Sequence, residues 1–578
     1  MNDIYCFVND LNLRAQLKRQ TNFNIISSLK EIKEKKANLV IFLEAIEDWN
    51  AMKLVIKKNY LNNLILIQSR NDGLMVSTFS PDKIGCPRCV NIYSENSFLT
   101  GSNSIHVRNL KVVEEMVHKL LYMNMNGYFQ YVLNIPESMK VVLRKVLPSI
   151  ACPNCSKLYE RRFPMDTLLP PKKQNRMRKY NDQMISKIVS GIPMGKYSLF
   201  STPEVYKMKG VYLSRVEIKS AKNTYGIGRS FSKEQAINIS LLEGLERLSL
   251  NGDIGKIDHI MQAYENLPNA IHPYQLIKTP FIFSPSSYYS WVTALKLSSN
   301  DQVMIPQQLV LINKEDTLNY RGERRFYSAT SHGTAIGGSK MEAAFYAIIE
   351  YFERENGLEA WYSRKNLKKW PLKFFEKNEQ TRNLINFFKQ NSCELHVIST
   401  NKMKTISTVW IHLSWNAGQL NVCGAGITPD SAVQSALLEL FTGFLNFKTI
   451  TREQEHRIQY LNRTFQFQSM EDHVLYYLQS KERSQFSFIE DIPYEEEATY
   501  LKLERRSEEI QRKGLSGLFD IIKDEVRGLN REIYLVDLTP PIVKVIDLNL
   551  SVIKVFMTKS HHFNFGIYDD TRQPHPFL

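Results

Sequence analysis

Two stretches of the chain repeat one alternation of apolar and polar positions. Residues Gly226 to Arg247 read GIGRSFSKEQAINISLLEGLER, and residues Gly333 to Arg354 read GTAIGGSKMEAAFYAIIEYFER. At about 100° per residue, Leu241, Leu245 and Leu248 fall together on a helix, while Ser240, Glu243, Glu246 and Arg247 occupy roughly a third of its circumference elsewhere. In the second copy Ala344, Phe345, Ile348 and Phe352 share one face, and Glu342, Glu350, Glu353 and Arg354 share the opposite one. The pattern predicts two helices that bury one stripe and present acids. Each follows a glycine-bearing loop and a Ser-Lys pair, Ser232-Lys233 and Ser339-Lys340. A weaker third copy from Gly424 keeps Ala432 and Glu439, but has Thr442 and Gly443 where Glu-Arg would fall.

A single Glu-x-x-Glu-Arg on a helix reads as a solvated, salt-bridged face. Two copies at equal distance from glycine loops, each backed by an apolar stripe, point elsewhere. Side by side, such helices mass five glutamates and two arginines. Carboxylates gathered in this way repel unless cations sit among them, and hard oxygen ligands without Cys or His suit Mg²⁺, which usually arrives with phosphate. Arginines can then fork onto the phosphate oxygens. The reading is a nucleotide-metal site.

These residues also carry a resemblance. Ser240-x-x-Glu243-x-x-Glu246-Arg247, then Ser331-His332-Gly333-x-Ala335-x-Gly337, then Glu342-Ala343 leading to Glu350-x-x-Glu353-Arg354, resemble the YcaO family of ATP-dependent enzymes that modify peptide backbones. The likeness runs over roughly residues 200 to 578. It takes in Asp537-Leu538-Thr539-Pro540, the strand-like Leu550 to Val555, and the ending Pro574-His575-Pro576-Phe577-Leu578. Ile227 stands where the family usually has Lys, and His332 and Gly338 where it often has Asn.

The start of the chain has another character. Ile4 to Val8, Leu39 to Leu43 and Leu64 to Gln68 are strand-length apolar runs, separated by helix-compatible segments at Ser27 to Lys36 and Trp49 to Lys58. No G-x-G-x-x-G turn is present there, so nucleotide binding in this part has no support. Four of the seven cysteines form two knuckles, Cys86-Pro-Arg-Cys89 and Cys152-Pro-Asn-Cys155, with 62 residues between them. Two C-x-x-C pairs favour a closed tetrathiolate Zn²⁺ site with a structural role; a redox pair is the alternative. This region resembles, loosely, the zinc-bearing E1-like region that accompanies YcaO enzymes in azole biosynthesis.

The expected fold class is α/β (α+β), with three parts: a small zinc-binding E1-like docking domain at 1–160, a linker at 161–199 marked by Pro170-Pro171 and the basic cluster around Lys172 to Lys179, and a YcaO-like catalytic domain with internal duplication at 200–578. Residues 451–530 are highly charged and are expected to form a surface excursion. The formal charge of +15 raises the question of nucleic acid, but the basic residues are dispersed and bring no RNA-binding or zinc-finger motif. The amino-terminal residues lack a signal pattern and no run approaches about 18 apolar residues, so a cytoplasmic protein without a membrane span is expected. The pair His561-His562 cannot face one site from a strand, and no G-x-S-x-G elbow occurs.

The resemblance implies a cyclodehydratase of thiopeptide-type biosynthesis. A Cys side chain of a ribosomal precursor peptide, or less readily Ser or Thr, attacks the preceding carbonyl; ATP phosphorylates the resulting oxygen, and phosphate departs to leave a thiazoline or oxazoline. It places Glu243, Glu246, Glu342, Glu350 and Glu353 on Mg²⁺ or its waters, Arg247 and Arg354 on phosphate, and Ser240 in support. A Pro-x-Pro-x-Pro ending belongs to catalysis in the azole-forming branch, which singles out Pro574, Pro576 and Leu578, the last replacing a proline. With a reduced amino-terminal region, a separate E1-like partner would capture the leader, and a homodimer is expected. Rival readings are a thioamide- or amidine-forming YcaO enzyme, a non-catalytic peptide-binding scaffold, and, on charge alone, a nucleic-acid binder.

Overall fold

The apolar runs at the start of the chain do become strands. In the computed structural model the described residues are 4–8, 10–27, 31, 37–43, 61–70, 73–79, 89, 110–122, 130–135, 142–146, 148–149, 152, 155, 176–195, 198–219, 224–252, 259–278, 282–312, 318–319, 321–540, 542–543, 548–561 and 574–578. Strands β1 (Ile4–Phe7), β2 (Asn24–Ile26), β3 (Ala37–Leu43), β4 (Leu61–Arg70), β5 (Gly73–Phe79), β6 (Gln130–Ile135) and β7 (Val142–Val146) form one sheet in the order β2-β1-β3-β4-β5-β6-β7. The pairings among β1 to β4 are parallel and those from β4 to β7 antiparallel. Helices α1 (Leu11–Gln20) and α2 (Leu110–Tyr122) cover it, with Leu13, Leu17, Val113 and Val117 packed on Val40, Ile65, Ile67 and Val76. The helices expected at Ser27 to Lys36 and Trp49 to Lys58 lie, but for Ser27 and Glu31, outside the described residues.

The internal duplication is built three times as a strand, a hydroxyl cap and a helix. Strand β10 (Tyr225–Ser230) leads through Ser232 into α4 (Lys233–Leu250); β14 (Thr334–Gly337) leads through Ser339 into α5 (Lys340–Ser363); β18 (Gly418–Gly426) leads through Thr428 into α7 (Pro429–Phe447). Each cap oxygen accepts a backbone N–H of the first turn, which would otherwise lie unpaired. The matched serines of the two copies are therefore helix starts, and Lys340 pairs with Asp537 at 2.9 Å. Helix and strand sit very close. A Cβ on Gly228 would lie 1.9 Å from the Ala236 carbonyl oxygen, and one on Gly424 would lie 2.3 Å from that of Ala432.

Each unit has its own sheet. Strands β8 (Glu204–Met208), β9 (Val211–Glu217) and β10 form the first, in the order β10-β9-β8. Strands β11 (Ile260–Ala263), β12 (Tyr288–Lys296), β19 (Ile533–Asp537), β20 (Ser551–Met557) and β14 form the second in that order, with β13 (Gln302–Pro306) also on β12. Strands β15 (Lys368–Trp370), β16 (Glu394–Ser399), β17 (Ser407–Trp415) and β18 form the third, with α6 (Glu379–Gln390) between β15 and β16 in the chain. Each site helix also touches the strand of another unit: α4 meets β14, α5 meets β18, and α7 meets β10. The three units thereby close a ring.

Two expectations are corrected. Residues 451–530 are not a surface excursion: α8 (Arg452–Thr464), α9 (Met470–Leu478) and α10 (Glu497–Gly528) bury Ile458, Leu461, Val474, Leu515, Leu518, Phe519 and Ile522 in the main cores. The charges that dominate the composition ride on the outer faces of these amphipathic helices. The region expected to be linker also ends in structure. Residues 161–175 lie outside the described residues, but α3 (Asp182–Ser190) packs on α4, with Gln235 donating to Asp182 at 2.9 Å and Asn238 to Ser186 at 2.8 Å. No helix among the described residues is long and apolar enough to cross a membrane.

Candidate functional site

Where the ring closes, the acids of the repeat meet. Glu243 accepts the Ile227 N–H at 2.9 Å and pairs with Arg247 at 3.0 Å. At the equivalent place in the second copy, the Thr334 N–H donates to Glu350. The contact at position 227 is made by the backbone, so the change from the family's usual Lys leaves it in place. Glu246 lies within reach of Glu350, Glu350 of Glu353, and Glu353 of Glu439 on α7. The carboxylates thus form a row from α4 across α5 to α7, with Arg247 and Arg354 interleaved. Its members are recessed and not sealed: Glu353 retains 13% of its side-chain exposure and Arg354 17%.

A recessed row of acids has an electrostatic cost. Burial pushes the Glu350 carboxyl up to about 7 and the Glu353 carboxyl up to about 8, with Arg354 opposing in each case. Glu246 is raised well above the ordinary range, by burial first and by Glu350 next. Arg354 stays firmly charged, because Glu439, Glu353 and Glu350 outweigh the burial that works against its charge. Such shifts mark a site that lacks positive charge and would gain from cations placed within it.

Sequence reasoning passed over one cation already there. Lys554, in the middle of β20, is buried; its Nζ donates to the Thr330 carbonyl, and burial pushes its pKa down to about 7 against the pull of Glu350 and Glu246. A lysine between Val552 and Phe556 on the buried face of an apolar strand was the available signal.

Two expected site residues are not brought into the row. Ser240 is fully buried and hydrogen-bonds Ser214 at 2.8 Å and the Ile237 carbonyl at 2.9 Å, so it fastens α4 to β9. Glu342 lies two turns before Glu350, about 12 Å along the helix. It accepts the Lys179 N–H at 2.9 Å, and burial raises its pKa although the Lys179 N–H and Arg178 oppose the shift. Tyr180 lies over Gly338, where a Cβ would come within 2.7 Å of the ring. His332 stacks on Tyr351 with ring centroids 4.5 Å apart.

Residues 574–578 reach the row at Arg354. The Pro574 carbonyl accepts from Trp361 Nε1 at 3.0 Å and from the Tyr477 hydroxyl at 2.6 Å. Leu578 donates its N–H to Asn421 at 3.0 Å, and its main-chain oxygen accepts from Arg354 Nη1 at 2.6 Å. Leu578 thus meets the row at Arg354, while Pro574 is held by Trp361 and Tyr477.

In the amino-terminal part, Cys89, Cys152 and Cys155 are buried with their sulfurs within 4.8 Å of one another. Cys86 lies outside the described residues.

The sequence matches the family described as YcaO cyclodehydratase, ATP- and Mg²⁺-binding, over residues 227–560, more than half of the chain. The chain belongs to the YcaO family. It is therefore an ATP- and Mg²⁺-binding cyclodehydratase, and the acid row lies within the matched span. No curated protein matches the sequence. Among solved structures, a heterocyclase described as in complex with substrate and cofactor is similar at 14% identity, covering 97% of this chain and 81% of its own, with a TM-score of 0.69. The heterocyclase TruD is similar at 14% identity, covering 99% of this chain and 81% of its own, with a TM-score of 0.60. At that identity the likeness concerns the fold, and it includes the seven-stranded amino-terminal unit as well as the YcaO domain.

Proposed function

We propose that this YcaO enzyme converts Cys residues of a ribosomal precursor peptide, and less readily Ser or Thr, to thiazolines or oxazolines, with ATP spent on the backbone oxygen. The observation that carries the reading is the single row of acids from α4, α5 and α7, met by Arg354 and by residues 574–578. The substrate thiol or hydroxyl adds to the preceding carbonyl carbon and gives up its proton; the oxygen that remains on that carbon takes the γ-phosphoryl of ATP, releasing ADP; the C–O bond then breaks as phosphate leaves, and the ring nitrogen loses its proton to form the C=N double bond. An amide oxygen is a poor leaving group, and phosphate is a good one.

Glu243, Glu246, Glu350 and Glu353 would hold Mg²⁺ or its waters, a donor set that fits a hard cation, and one bound there would relieve the burial that raises Glu246, Glu350 and Glu353. The ion, when bound, neutralises charge developing on the phosphate. Arg247, Arg354 and Lys554 face the same space and would orient phosphate oxygens. Glu342 would serve apart from the row, where it holds the Lys179 N–H, and Ser240 only by fastening its helix. Pro574, Pro576 and Leu578 would line the peptide end, where a rigid segment costs little entropy to hold.

In the amino-terminal part the three converging thiols fit a structural Zn²⁺, with Cys86 as the fourth ligand. We further infer a separate E1-like partner that captures the leader; the homodimer rests on the resemblance alone. Mass spectrometry of a Cys-rich precursor incubated with ATP, Mg²⁺ and the partner tests the reading. Loss of one water per ring supports it. Exchange of oxygen for sulfur would point to the thioamide branch, and an unchanged peptide without ADP release to a scaffold.

A further inference from the structure

Residues 574–578 need more than Arg354 to hold them, and the added grip comes from the helical segment that the acid row does not use. The His575 ring lies flat on the His473 ring of α9, with centroids 4.2 Å apart and planes within 9°, and His473 Nδ1 is 3.3 Å from the His575 carbonyl oxygen. One turn along α9, Tyr477 holds the Pro574 carbonyl, and Phe577 pairs with Asn421 of β18 as a short parallel bridge. Asn421 is itself held through its side-chain oxygen by Trp410 and His412, each at 2.9 Å. The path from α9 to the Leu578 oxygen on Arg354 is thus a continuous set of buried contacts.

We propose that His473, together with Tyr477, is a positioning residue of the cyclodehydratase, which keeps residues 574–578 seated against Arg354 only while the stacked imidazoles are uncharged. This rests on the reading of the acid row as the ATP site. Parallel neutral rings stack well; two imidazolium ions at that separation repel. Among the described residues, His473 from α9 and Arg354 from α5 are charged or titratable groups that face His575, and both disfavour a proton on it. Tyr477, Trp361 and Asn421 supply hydrogen-bonding groups without formal charge. Asp472, next to His473, is turned away onto Arg457 at 2.6 and 2.7 Å. Burial, then His473 and Arg354, hold the His575 pKa well below its ordinary 6.5. A histidine depressed in this way supports the seat above the ordinary value, and that support is lost as pH falls below it.

The test uses the full chain and two readouts. Amide hydrogen exchange at Phe577 and Leu578, expressed against a free peptide of the same sequence, is followed at about pH 8 and about pH 5.5. Wild type should lose roughly tenfold of its protection at the lower pH; His575→Phe, which keeps a ring in the stack but carries no proton, should flatten the dependence, and His473→Phe, which removes one of the charges opposing a proton on His575, should lessen it. Peptide-dependent ADP release should then show its acid limb moved to lower pH in both variants, with KM for ATP unchanged. Equal protection of wild type at both pH values, or an undiminished pH dependence in His575→Phe, overturns the proposal. Should that variant fail to fold, His473→Phe carries the comparison through its lessened dependence. If exchange behaves as expected while wild type releases no ADP with peptide at any pH, the proposed function fails and the proton-sensitive seat stands.

Discussion

The second and third copies of the strand-cap-helix unit share a backbone and differ in what their last turn presents. Helix α5 keeps Glu350, Glu353 and Arg354; α7 keeps Glu439 but carries Thr442 and Gly443 in the next two places. The loss makes room. Thr442 accepts the Arg229 guanidinium at 2.8 Å, and a Cβ on Gly443 would lie 2.6 Å from Leu578 Cδ1. The glycine that replaces the third arginine thus leaves the space in which the Leu578 side chain sits. Its main-chain oxygen then meets the arginine retained on α5. One unit keeps both acids and the arginine, and its copy leaves the space that a segment of the same chain fills.

The comparison can be broken most severely at Arg354, which serves both the acid row and the seated segment. Arg354→Ala should cut peptide-dependent ADP release by roughly 10³-fold with the far-ultraviolet dichroism unchanged; a loss of less than tenfold would mean the two functions do not meet there. Restoring the repeat by Gly443→Arg should displace Leu578, for a loss of about 10²-fold in turnover with nucleotide affinity retained by calorimetry. A variant that binds nucleotide poorly instead would show that the Leu578 side chain and the nucleotide share that space.

Proton linkage sharpens the same contrast at smaller scale. A carboxyl raised in the folded state contributes stability in full below its ordinary 4.5, and that contribution is lost as pH rises through about 7 for Glu350 and about 8 for Glu353. Lys554 has the opposite sign, depressed from 10.5 to about 7, so it acts only above that value. Between pH 4.5 and 7 the acids dominate this balance. The rise in Tm on adding Mg²⁺ and a non-hydrolysable ATP analogue should therefore grow with pH across that window, as scanning calorimetry would show; a flat difference would leave the cations outside the row. The smallest effect is expected at Thr442→Glu, which restores an acid beside Arg229. Turnover within about threefold of wild type is expected, since a part-exposed ion pair contributes little.

Much of this was legible along the chain. A 3.6-residue period with acids at fixed spacing reports on one helix face, so Glu243, Glu246, Glu350, Glu353 and both arginines could be singled out from local order alone. Ser240 could not be separated from them, because its angle on the helix wheel is close to theirs and only the approach of β9 turns it inward onto Ser214. Glu342 shares a face with Glu350, but a face has length as well as angle, and two turns remove it from the cluster. The charged composition of 451–530 misled for a related reason: an amphipathic helix advertises its outer residues, while the few buried ones decide where it packs.

The sequence by itself determined two acid-bearing helices behind Ser-Lys pairs, a weaker third copy, and the residues each could offer. These follow from sterics and periodicity within some twenty residues. The glycine-bearing stretches before the helices, expected as loops, are strands in the structure. Only the tertiary structure decided that α4, α5 and α7 close a ring, that Lys554 enters it from β20, and that His473 and Tyr477 seat a segment about a hundred residues away along the chain. Such contacts depend on which surfaces are driven together when apolar stripes are buried, and no spacing along the chain encodes that distance.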